Sequence, residues 1–189
     1  FIKSTFFEIS LIQFFPEIFL ATSILVLIMH ASLLSTMRSL GNILLTKSLT
    51  RLCLLIVVLT FVLSTPAVVS GDCNVLLDSS LHTFLAYKNT FIFDSLSQSS
   101  KQIVLFGVFF SLFISENIVL RHKINAFEYL ILLLCATLGL LFLTSSYDLI
   151  SLYLAIEVQG LCLYVLAASK KDSSFSLEAG LKYFILGSF

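Results

Sequence analysis

Residues 127–169 read FEYLILLLCATLGLLFLTSSYDLISLYLAIEVQGLCLYVLAAS, two long apolar runs parted only by the polar break Ser145-Ser146-Tyr147-Asp148. A helix needs about 20 apolar residues to cross a hydrocarbon core roughly 30 Å thick. Each run supplies that length, which predicts one span over 127–146 and a second over 147–169. The second carries a carboxylate, Glu157, near its centre. A charge placed there costs about 2.5–3.5 kcal/mol on insertion scales, so such a residue usually marks a partner or a pathway.

Working outward, the same test finds spans over 11–35, where Pro16 sits harmlessly near the start, over about 50–70 and over 101–120. A sixth begins near 175 with FSLEAGLKYFILGSF and ends at Phe189. Fifteen helical residues reach only about 22 Å, short of a crossing. The fold class expected is therefore an all-α integral membrane protein with about five complete helices and the start of a sixth. Three sections are expected: an N-terminal segment 1–10, spans one to three over 11–120, and the last three helices over 121–189. Inside the second section, 71–100 reads as a long loop, with some extended structure around the run TFIF.

Composition agrees. Hydrophobic residues make up 58% of the chain and charged residues 12%, where a soluble domain carries about 25% charged. Eleven basic and eleven acidic residues cancel, and no basic run suggests nucleic acid. Cys53, Cys73, Cys135 and Cys162 are scattered without metal-ligand spacing, and three lie in apolar runs where a thiol behaves as a small hydrophobe. The opening FIKSTFFEIS lacks the Arg-rich, acid-poor character of a transit peptide. Phenylalanine is abundant, 19 residues, which suits an AT-rich organellar gene.

Lysines and arginines give the sidedness. Arg38, Lys47 and Arg51 fall between spans one and two, Arg121 and Lys123 between three and four, Lys170 and Lys171 between five and six. The other side holds Lys88 and Lys101, offset by Asp72, Asp78, Asp94 and Asp148. The basic loops are expected to face the matrix or cytoplasm, with the N-terminus opposite.

Within the spans, Glu157 has Tyr153, Leu154, Gly160, Leu161 and Tyr164 as helical neighbours, a face where another helix or water can approach. Its plainer reading is a neutral carboxyl bonded to a neighbouring helix; at mid-bilayer, proton exchange is favoured. Lys182 is the second intramembrane charge. Glu178 precedes it by four residues, and its stem can snorkel to the headgroups, so an ordinary surface pair is an even alternative. A glutamate and a lysine on consecutive helices nonetheless make a plausible proton-handling pair. Glu17 suits a helix N-terminus, Glu128 an interface, His30 a packing role, His122 a basic loop, and His82 has no visible partner. No nucleophile triad, phosphate loop or cofactor box is present.

Residues 137–189 closely resemble subunit 2 of NADH:ubiquinone oxidoreductase, respiratory complex I, through SSYDL, LYLAIE, LYVLAA and EAGLKYFILGSF in the family's order and spacing. FFPEIFL at 14–20, NAFEYLILLL at 125–134 and FIFDSLSQ at 91–98 also fit. The resemblance implies an antiporter-like membrane subunit built from inverted five-helix repeats that carry protons. It implies that Glu157 is the fifth-helix pathway glutamate and Lys182 the sixth-helix lysine. It implies a non-redox subunit of an H+-translocating NADH:ubiquinone reductase in the mitochondrial inner membrane, with no complete active site and no cofactor on this chain. NADH, FMN, iron–sulfur clusters and ubiquinone would sit on partner subunits. The family's further lysines lie on later helices, so the chain reads as the N-terminal part of subunit 2, completed by a second polypeptide or by residues beyond this sequence. Two alternatives stand beside this one: a scaffold bundle without its own proton path, and a subunit of a cation/proton antiporter.

Overall fold

The polar break at 145–148 reverses the chain between two helices, and the other elements assemble around that pair. A computed structural model describes residues 14–36, 42–65, 84–86, 90–122, 126–170 and 173–188. Its elements are α1 (Phe15–Thr36), α2 (Asn42–Leu63), β1 (Phe84–Ala86), β2 (Phe91–Phe93), α3 (Ser95–His122), α4 (Ala126–Ser145), α5 (Leu149–Ala167) and α6 (Ser174–Ser188). The stretches Phe15–Leu33, Ser95–Glu116, Phe127–Ser145 and Leu149–Ala167 are long and apolar enough to cross a membrane. The chain is a multi-pass membrane protein.

One buried stripe per helix builds the core. It runs through Leu20, Ile24 and Leu27 of α1, Leu49, Cys53 and Val57 of α2, Leu105, Val108 and Leu112 of α3, and Leu130, Leu134 and Leu141 of α4. Steps of three, four or seven residues keep each set on one helical face. Among the described helices α4 packs on α1, α2, α3 and α5, which makes it the central post. Several hydroxyls in the core are satisfied locally: those of Thr60, Ser115 and Thr137 donate to carbonyls three residues back. A buried hydroxyl without such a bond costs about 1–3 kcal/mol.

Three boundaries differ from those expected: the start and end of α2, which runs Asn42–Leu63 where about 50–70 was expected, and the start of α3. α2 begins at Asn42, so Lys47 and Arg51 belong to its first turns and not to the preceding loop; both side chains are exposed. Long basic side chains are good helix formers and can carry their charge outward along the helix. Arg38, Lys88 and Lys123 lie outside the described residues, as do 1–13 and most of the 71–89 stretch, His82 and Cys73 included. α3 begins at Ser95, six residues before the expected start at 101. SLSQSS looks like loop, but Asp94 Oδ1 accepts from the Ser95 amide at 3.1 Å. The hydroxyls of Ser99 and Ser100 turn back onto the carbonyls of Ser95 and Leu96, both at 2.8 Å. Gln98 Nε2 donates to the Ser64 carbonyl at the end of α2. Folded back in this way, serines no longer compete with the helix.

The extended structure expected near TFIF is present. β1 and β2 pair antiparallel, Phe84 with Phe93 and Ala86 with Phe91. The hairpin lies over the end of the bundle where α4 hands over to α5. The Thr90 carbonyl accepts from the amide of Tyr147 at 2.9 Å and from the hydroxyl of Ser151 at 3.0 Å. Phe14 stacks edge-on against Phe91 and Phe93, with centroids 5.1 and 4.7 Å apart. Ser151→Ala is expected to cost about 1 kcal/mol. A thermal scan of the solubilised protein should show a midpoint about 2–4 °C lower; an unchanged midpoint would show that the Ser151 hydroxyl adds nothing to the Tyr147–Thr90 bond.

Candidate functional site

α5 owes its start to Asp148, extended at φ −90° and ψ 147°, which lets the chain leave α4 and reverse. Glu157 is the ninth residue of this 19-residue helix, so it lies about 12 Å from one end and 15 Å from the other. Its side chain is half-buried, and among the described residues no hydrogen bond or ion pair reaches it. Close helix approach near this carboxylate comes from α4, at a glycine that sequence reading did not single out. A Cβ built on Gly139 would stand 3.0 Å from the Gln159 backbone nitrogen and 3.1 Å from its Cβ. Gly160, by contrast, faces only its own neighbour Tyr164. Of the two phenols beside Glu157, Tyr153 is exposed, while Tyr164 turns to α6 and meets Tyr183 edge-on at 4.8 Å.

Lys182 is the ninth residue of α6, about 12 Å from that helix's start. α5 and α6 run antiparallel: Ser176 donates to the Ala167 carbonyl at 2.9 Å, and Gly180 lies against Ala168. With Gly180 level with Ala168, Lys182 lies two residues in from that level and Glu157 eleven, so the two are about 13 Å apart along the helix axes. The structure does not bring them into contact. Lys182 Nζ bonds Glu178 Oε1 at 2.5 Å, and the two side chains are 70% and 59% exposed. The bond closes within α6, between residues one turn apart. Cys135 on α4 and Cys162 on α5 are neighbours across that helix pair, and both are free thiols. His30 borders an apolar groove between α1 and α2 with Phe19, Val26 and Leu52.

A second ionic site was not legible in the sequence. Lys101 donates to Glu17 Oε1, with the side chains 3% and 1% exposed. The ammonium also stands 4.6 Å above the centroid of Phe93, a cation–π contact. Glu17 stands in the first turn of α1, as expected, but its carboxylate is buried and paired, and Lys101 lies within α3 and not at an exposed span end. Each neutralises the other inside the bundle, beneath the hairpin. Eighty-four residues separate the partners, so no local spacing rule could have joined them.

Residues 146–189 match the family model described as NADH:quinone oxidoreductase/Mrp antiporter, transmembrane. That segment contains both Glu157 and Lys182. The NADH-ubiquinone oxidoreductase chain 2 of Marchantia polymorpha is 37% identical over 183 residues, 97% of this chain. This chain is a relative of complex I subunit 2. It spans 35% of the length of the Marchantia protein. Subunit N of NADH-quinone oxidoreductase from Bartonella bacilliformis is 46% identical over 101 residues, which is 53% of this chain and 21% of that protein. Among solved structures, a chain of respiratory complex I from Thermus thermophilus superposes with a TM-score of 0.60 at 24% identity. It covers 92% of this chain and 33% of that one, which supports the fold.

Proposed function

We propose that this chain belongs to the membrane arm of a proton-pumping NADH:quinone oxidoreductase and that Glu157 is its proton-exchanging carboxylate. The observation that carries the reading is a half-buried glutamate halfway along a membrane-length helix, inside the segment that matches the antiporter-like family model. Lys182, on the next helix and bonded to Glu178, serves as the positive charge whose approach and withdrawal favour release and uptake of the proton. The redox steps, with NADH, FMN, iron–sulfur clusters and ubiquinone, fall to partner subunits. The setting is the mitochondrial inner membrane, with basic loops toward the matrix and the hairpin toward the intermembrane space.

The outer faces of α5 and α6 fit an incomplete bundle. Ala155 and Gly180 are the buried residues of these two helices, while Leu154, Leu161, Leu181 and Ile185 are exposed. A large unpaired apolar surface marks an interface or lipid contact. The rest of the relatives' length, whether a continuation of this chain or a second polypeptide, would seat there beside other membrane subunits.

Glu157→Gln keeps the volume and removes the charge. In native complex purified with this chain, it should lower protons translocated per electron pair toward the ratio of a complex without this module. Assembly should be largely kept. Lys182→Met should lower the ratio in the same direction by a smaller amount. Wild-type stoichiometry in a fully assembled Glu157→Gln complex would turn the reading over to a scaffold role.

A further inference from the structure

Two buried polar atoms lack a partner among the described residues, Glu17 Oε2 and Ser97 Oγ. Ser97 is 6% exposed and Glu17 1%. They belong to one place. Ser97 lies four residues before Lys101 on α3, so it shares that helix's face one turn toward the N-terminus. Helical side chains lean toward the N-terminus, which brings the Lys101 ammonium, already bonded to Glu17 Oε1, back over Ser97. The Ser97 hydroxyl and the Lys101 ammonium thus share one face of α3, with Glu17 bonded to that ammonium and Phe93 beside it. Leaving a buried hydroxyl and a buried carboxylate oxygen unbonded costs about 1–3 kcal/mol each, more for the charged one. A water molecule is held where two to four polar partners converge, and here there are three.

We propose that Glu17, Ser97 and Lys101 form a binding site for one water molecule, and that this water makes Glu17 a second proton-exchanging acid in the chain, separate from Glu157. The water donates to Glu17 Oε2 and accepts from Lys101 Nζ or from the Ser97 hydroxyl. Exchange then follows without net charge transfer. One Nζ–H bond breaks and its proton joins the water. A water O–H bond breaks and that proton joins Oε2. Ammonium and carboxylate become amine and carboxylic acid, and the reverse step restores them. The site stays neutral throughout.

The test uses the native complex at a resolution that shows ordered water. Density within hydrogen-bonding distance of both Glu17 Oε2 and Ser97 Oγ is expected, and it should be lost in Ser97→Val, whose methyl groups fill the position while the ion pair remains. In infrared spectra, a carboxyl C=O band that shifts on transfer to D2O should vanish in the Glu17→Gln/Lys101→Met double variant. That band should persist in Glu157→Gln, which separates this site from the one proposed above. Three results would each overturn the proposal: no water density, the two orphan atoms bonded to other parts of the chain, or a spectrum the double variant leaves unchanged.

Discussion

Glu17→Gln alone should destabilise the bundle by about 3–5 kcal/mol, the usual cost of removing one member of a buried ion pair. The loss comes from what remains: an ammonium 3% exposed, left with the face of Phe93 and no counter-charge. Lys101→Met alone should cost a similar amount by stranding the carboxylate. The double variant Glu17→Gln/Lys101→Met should recover most of the loss, because a well-packed apolar replacement of a buried pair is often neutral or better. Thermal unfolding of the four proteins closes a double-mutant cycle. Additive losses, with the double variant worst, would mean that the two residues do not act as a pair.

This pair also shows where sequence reading stops. Span positions were legible because a membrane helix announces itself by length and apolarity, and the break at 145–148 marks the α4–α5 reversal directly. Glu157 and Lys182 stood out because a charge inside an apolar run is costly wherever its neighbours lie. Glu17 and Lys101 did not stand out, since each sits close to a span end where a charge is cheap. What makes them unusual is burial by the hairpin and by each other, a tertiary fact. The start of α3 was hidden for a related reason: the serines of SLSQSS favour turns in isolation, and here the end of α2 engages Gln98 and helps hold the helix. Gly139 gave no signal either. A glycine in an apolar helix reads as a neutral filler until the helix that crosses it is known.

Gly139→Leu should separate α4 from α5 and do so more strongly than any surface substitution on either helix. Even a Cβ at this position would stand 3.0 Å from the Gln159 nitrogen and 3.2 Å from its Cα, and backbone cannot swing aside as a side-chain tip can. Overpacking of this kind costs about 1–3 kcal/mol, occasionally more, and the strain falls two residues from Glu157. The molecule carries its own reporter. Cys135 is one turn from Gly139 on α4, and its neighbour Cys162 lies three residues beyond Gln159 on α5. A short bifunctional thiol reagent should link the two in the wild type, identifiable by peptide mapping, and the yield should fall sharply in Gly139→Leu. Gly139→Ala should fall between them, since a single methyl asks α5 to move by only a few tenths of an ångström. Equal yields across the three proteins would mean that α4 and α5 are not held together at this glycine, and that Glu157 takes its position from some other contact.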